Sequence, residues 1–185
     1  MGLNATFALF TQRKMKKIVL FLILSVGVLS ASQAQTAAPL GNALPVDATR
    51  YFASVDSMIN LGKKYMGVRY TYGGNTPTGF DCSGFVSYLF GSFGYKISRA
   101  SRELAKFGYE VNEGCLQPGD LAFFKGRSTK SNEVGHVALV IKAMGGQWDI
   151  IHATVSRGIW IDHDVMNIAY YKQRFLMFRR PFQFL

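Results

Sequence analysis

Two hydrophobic rhythms divide the chain. Phe52, Val55, Met58, Ile59 and Gly62 follow helical spacing and predict a helix from Asp47 to about Tyr65. Phe85, Val86, Leu89, Phe90 and Phe93 fall at i, i+1, i+4, i+5 and i+8, which predicts a second helix ending near Gly94. A shorter helix is expected over Arg99 to Phe107, stopped by Gly108. Between the first two lies GVRYTYGGNTPTGFDCSG, a loop by its density of Gly, Pro and Thr.

Beyond residue 119 the rhythm shortens. DLAFF, GHVALVI, QWDIIHA, GIWID and RFLMFRR are brief, rich in β-formers and separated by Gly or polar turns. Helices first and strands later predict an α+β domain, with N-terminal helices packed on one face of a mainly antiparallel sheet. Met144-Gly145-Gly146 between two β-type runs is a hairpin signal. There is no internal repeat, heptad pattern or long charge run.

The N-terminus has a third pattern. Arg13, Lys14, Lys16 and Lys17 precede an apolar run from Ile18 to Leu29, and small residues follow at Ser32 and Ala34. The run has the length of a signal-peptide core and is short for a membrane span. Residues 1–34 are therefore expected to be an export signal, with Met15 an alternative start. Residues 35–46 read as a linker and 47–185 as the domain. No cysteine follows the apolar run, so a lipid anchor of the usual kind has no attachment residue. An exported protein without a membrane anchor, periplasmic or secreted, is expected.

Composition supports a single folded domain: of 185 residues, 49% are hydrophobic and 17% charged, unlike a disordered chain. The formal charge of +10 falls to +6 once the four basic residues of the export signal are set aside. A basic-aromatic cluster remains near the C-terminus, with Lys172, Arg174, Arg179 and Arg180 among Tyr170, Tyr171, Phe175 and Phe178. Such interleaving can mark a nucleic-acid surface. A strand with basic ends explains it more simply, and export makes an anionic wall polymer the better partner. Two cysteines exclude a disulfide scaffold and a four-thiolate zinc site.

One of those cysteines carries the chemistry. Cys82 stands where the Gly-rich loop meets the second helix, with Asp81 placed as its cap. A thiol in a first helical turn feels the positive end of the macrodipole, which favours thiolate. A small buried hydrophobe is the commoner fate of a free cysteine. His136 and His152 tip the balance. The midpoint of 136 and 152 falls at 144, so pairing about that residue brings the two imidazoles together, whereas a one-residue slip separates them. One imidazole can then act as base while the other orients it. His163, between Asp162 and Asp164, reads as a solvated loop residue, and no histidine sits in a metal-binding spacing.

The run YTYGGNTPTGFDCSGFVSYLF, followed by LQPGDLAFF, GHVALVI and IIHAT, resembles the NlpC/p60 family of bacterial cell-wall cysteine peptidases. The resemblance extends from about Phe52 to Phe178. It implies a papain-like α+β fold and a Cys-His-His catalytic set: Cys82 as nucleophile, His136 as general base, His152 as orienting residue. Tyr70 matches the family's oxyanion-hole tyrosine. Asp81 and Ser83 match positions that contact a substrate's free amine and carboxylate groups. A cap and a small first-turn residue are their structural alternatives.

The implied activity is hydrolysis of peptide bonds in peptidoglycan stems or crosslinks by a monomer, without cofactor or metal and without a nucleic-acid partner. A γ-D-glutamyl–diamino-acid bond and a D-alanyl–diamino-acid crosslink both remain open. A wall-binding module without catalysis, or acyl transfer on the same fold, are the competing functions. Three departures stand out. Arg69 replaces a common proline, the interval between the histidines is long, and Cys115 has no catalytic counterpart. Cys115 is expected to be free and partly buried, although a Cys82–Cys115 disulfide would silence the site.

Overall fold

A computed structural model describes residues 44–184. The expected export signal and most of the linker lie outside the described residues. The end of the expected linker is a strand, β1 (Leu44–Val46), paired in parallel with β10 (Phe182–Phe184). Among the described residues no helix is long and apolar enough to cross a membrane.

Helix α1 (Ala48–Lys64) begins where Asp47 Oδ1 accepts from the Arg50 amide at 2.8 Å, and ends with Lys63 and Lys64 facing the negative end of the macrodipole. A small hairpin follows, β2 (Asn75–Thr76) with β3 (Gly79–Phe80), and then α2 (Cys82–Ser92). The third expected helix shrinks to α3 (Ser101–Leu104). Ala100 supplies no side-chain cap, and beyond Ala105 the amides of Lys106 and Phe107 bond three residues back instead of four.

A six-stranded antiparallel sheet forms the rest. Its order is β4 (Tyr109–Val111), β9 (Phe175–Arg180), β5 (Leu121–Lys125), β6 (Val134–Met144), β7 (Gln147–Thr154) and β8 (Gly158–Asp162). A short helix α4 (Ala169–Lys172) precedes β9. Alternation along the strands builds two cores. Leu121, Phe123, Val137, Leu139 and Ile151 face α1 and α2 on one side, against Met58, Phe85 and Leu89. Ala122, Phe124, Val140, Trp148, Ile150 and Phe178 face the other way, packed with Tyr171 and Val165. The long helices thus occupy one face, as expected, and an aromatic cluster seals the second. That double burial explains why GHVALVI reads as a nearly continuous apolar run.

The β6–β7 hairpin turns through Gly145 and Gly146, both at positive φ (61° and 79°), as a two-residue turn requires. Near the turn Lys142 pairs with Asp149, but farther along Val140 pairs with Ile150. Ile141 is therefore an extra residue, a β-bulge. Arg180, counted above in the basic cluster, is turned inward instead. Its Nε donates to Asp120 Oδ1 at 2.7 Å, and one Nη donates to Asp120 Oδ2 at 2.8 Å and to the Cys115 carbonyl at 2.7 Å.

Candidate active site

Helix α2 lies against β6 and β7, which brings its first residue to the strands that carry the histidines. Asp81 caps the helix, accepting from the Gly84 amide at 2.7 Å through Oδ1 and from the Gly73 amide at 2.9 Å through Oδ2. One carboxylate so ties the Gly-rich loop to the helix start. Gly84 has no room for a side chain, because a Cβ there would run into the Gly74 carbonyl. The glycine of D-C-S-G is thus a close-approach residue.

Cys82, His136, His152 and Tyr70 line one cavity of about 960 Å³. Cys82 is buried. Burial pushes the thiol above its ordinary range and Asp81 adds to this, against the pull of the Val137 and Ser83 amides. The direction is opposite to the one a helix start alone predicts: burial favours the thiol form of Cys82. His136 Nε2 and His152 Nδ1 are 2.7 Å apart. Burial and the neighbouring His152 push His136 down to about 3, while Asp162 pulls the other way. His152 is lowered by burial too, opposed by Asp162. The resting pair is a neutral thiol and a neutral imidazole.

The polar chain continues past the residues that sequence reasoning selected. His152 Nε2 is 2.9 Å from Asp162 Oδ2. Asp162 also accepts from the Tyr171 hydroxyl at 2.7 Å and from an Arg157 Nη at 2.9 and 3.1 Å. Burial would raise Asp162, but His152, Tyr171 and Arg157 overcome it and hold the carboxyl well below its usual range. The signal for Asp162 was strand parity: His152 pairs with Trp160, so Asp162, two residues on, shares its face. His163 points away, exposed, with Nδ1 2.8 Å from Asp149.

Tyr70 is held beside Phe80 by an isolated bridge at the loop's edge. Burial, Cys82 and Asp81 all raise its pKa, so its hydroxyl stays a donor. Ser83 and Asp81 carry a partner already: Arg99 donates to Ser83 Oγ at 2.8 Å, to Asp81 Oδ2 at 2.7 Å and to the Gly74 carbonyl at 2.9 Å. Cys115 differs from the expectation of partial burial. It is free and exposed, on a single-turn helix (Glu113–Cys115) outside the sheet. Cys82 is free as well.

Residues 67–180 match the model of the NlpC/P60 family. The chain is 38% identical over 117 residues to Murein DD-endopeptidase MepS/Murein LD-carboxypeptidase of Escherichia coli K12, covering 63% of this chain and 57% of that protein. It is 38% identical over 100 residues to Gamma-D-glutamyl-L-lysine dipeptidyl-peptidase of Bacillus cereus, covering 54% of this chain and 28% of that protein. The alignments so span little more than half of the first relative's length and less of the second's. The crystal structure of an NlpC/P60 family protein from Bacillus cereus superposes with a TM-score of 0.62 at 32% identity, over 70% of this chain and 40% of that one. The NlpC/p60 domain of the peptidoglycan hydrolase SagA superposes at 0.54 with 26% identity, over 68% of this chain and 97% of that domain. With the matched segment running from the loop before Tyr70 to the last strand of the large sheet, the chain belongs to the NlpC/P60 family.

Proposed function

We propose that this protein is an exported cysteine endopeptidase of the bacterial cell envelope that hydrolyses peptide bonds in peptidoglycan. The observation that carries the reading is the shared cavity, where the Cys82 thiol and the linked imidazoles of His136 and His152 converge. Relatives named for murein endopeptidase and γ-D-glutamyl peptidase activities support the substrate class.

In this reading Cys82 and His136 start neutral, so proton transfer accompanies attack. The Cys82 sulfur adds to the scissile carbonyl carbon as its proton passes to His136. The Tyr70 hydroxyl donates to the developing oxyanion. Collapse expels the amine, which takes the proton from His136, and leaves a thioester. Water, deprotonated by His136, then releases the acid and the thiol. No cofactor takes part.

Which groups are already satisfied favours one of the two candidate bonds. Asp81 is paired with Arg99, so its charge is balanced before any substrate amine arrives. That favours an internal bond, the D-alanyl–diamino-acid crosslink, over release of a dipeptide from a free amino terminus. Lys125, Arg127 and Arg174 line the cavity, none of them in a salt bridge among the described residues. They suit the carboxylates of a peptide stem. Digestion of purified sacculi, with mass analysis of the muropeptides after glycan cleavage, tests the assignment. Loss of crosslinked dimers with intact stem monomers is expected. Shortened stems with crosslinks retained would replace it by the γ-D-glutamyl assignment.

A further inference from the structure

We infer that Asp162, acting through His152, is a positioning residue that fixes the base-competent tautomer of His136. The inference rests on the peptidase reading for its consequence, but its geometry stands independently.

Donors and acceptors can be assigned in one direction only. Asp162 is a carboxylate held among donors and can only accept. Arg157 contributes two contacts at 2.9 and 3.1 Å, and Tyr171 donates its single proton at 2.7 Å. The remaining contact, His152 Nε2 at 2.9 Å, must therefore carry a hydrogen. Tyr171 is a poorer partner for that nitrogen, at 3.4 Å. A neutral His152 protonated at Nε2 has a bare Nδ1. That atom lies 2.7 Å from His136 Nε2, which must then be the donor. His136 Nδ1 is left bare, and it is the nitrogen remaining to take the Cys82 proton.

When His136 accepts that proton it becomes a cation that keeps donating through Nε2. The bonds to His152 and Asp162 are unchanged in direction, so nothing reorganises at the moment of transfer. A neutral amide at position 162 breaks the sequence. An asparagine NH2 can donate to His152 Nε2, which moves the His152 proton to Nδ1 and turns His136 Nε2 into an acceptor. His136 Nδ1 then carries the hydrogen, and the base is blocked. An amide in place of a triad aspartate acts in this way elsewhere, at a cost of about 10⁴ in kcat.

Imidazole 15N shifts from long-range 1H–15N correlation spectra of the whole protein at neutral pH test the assignment. The wild type is expected to show His136 and His152 each protonated at Nε2 only. Finding His136 protonated at Nδ1 overturns the inference, whatever any variant does. In Asp162→Asn, Nδ1–H signals are expected on both rings. kcat on crosslinked muropeptides is expected to fall roughly 10²–10⁴-fold, with KM within about threefold. Asp162→Glu, which restores a carboxylate, is expected to keep the Nε2–H tautomers and recover at least about tenfold of the lost kcat. A folded Asp162→Asn with unchanged tautomers overturns the inference even if kcat falls. The tautomer readout needs no substrate, so failure of the inference is distinguishable from failure of the peptidase reading.

Discussion

His136 and His152 are hydrogen-bonded at 2.7 Å although they are not direct partners in the β6–β7 ladder. Extended straight from the turn, the pairing of Lys142 with Asp149 would set His152 beside Leu139 and send His136 to the opposite face. The bulge at Ile141 shifts the register so that Leu139 pairs with Ile151. His152 then shares its face with Ala138 and, two residues farther, His136. One extra residue decides whether the imidazoles meet.

Their shared burial makes stability depend on pH. His136 sits at about 3 in the folded protein, below the ordinary histidine value of 6.5, and His152 is lowered as well. As pH falls below 6.5 the unfolded chain takes up protons that the native site refuses. The contribution is therefore complete above about 6.5 and is lost progressively toward 3. The slope reaches about 1.4 kcal/mol per pH unit for His136, and His152 adds to it in the same direction. Denaturant unfolding at pH 7.5 and 4.5 should show a smaller loss for His136→Gln than for the wild type. Equal losses would contradict the assignment.

Tyr70→Phe removes the proposed oxyanion donor and keeps the ring. We expect kcat to drop roughly 10²-fold, with KM and the thermal midpoint little changed. A rise in KM alone would make Tyr70 a substrate-packing residue.

Gly84→Ala should harm both fold and activity, although alanine is the better helix former. The added Cβ collides with the Gly74 carbonyl and crowds the Arg99 guanidinium. Overpacking of this kind costs about 1–3 kcal/mol, and it pushes the loop carrying Tyr70 off the helix start. Unfolding curves and cleavage rates check this; wild-type values in both would contradict it.

Asp120→Ala strands the buried Arg180 guanidinium, which does not line the cavity. A loss of about 3–5 kcal/mol is expected, with kcat per folded molecule unchanged. Calorimetry combined with activity normalised to the folded fraction separates the two.

The parts of the site carried by local patterns were legible in the sequence. Cys82 at a helix start behind a capping Asp81, and the Gly145-Gly146 hairpin, follow from short-range chemistry. Symmetric pairing about residue 144 foresaw the meeting of the histidines, although the ladder is centred on the two glycines and corrected by the bulge. A bulge has no short-range signal in an apolar run buried on both faces. Asp162 was hidden by its neighbours, because an exposed His163 flanked by two aspartates reads as solvated loop. Only alternation counted from Trp160, the partner of His152, turns it inward. Arg157, five residues back in the β7–β8 turn, and Tyr171, nine residues on in α4, reach it through the path of the chain and not through any periodic pattern. Burial, a tertiary property, is what keeps Cys82 a thiol against the helix dipole.

The most direct test of the account compares wild type and Cys82→Ala, both verified as folded, on purified sacculi, scoring newly exposed amino groups and released muropeptides over time. Wild type is expected to liberate amino groups and lower crosslinking with the glycan strands intact, while Cys82→Ala stays at the level of buffer. Unaltered peptides after wild-type treatment, or equal cleavage by the alanine variant, would contradict it.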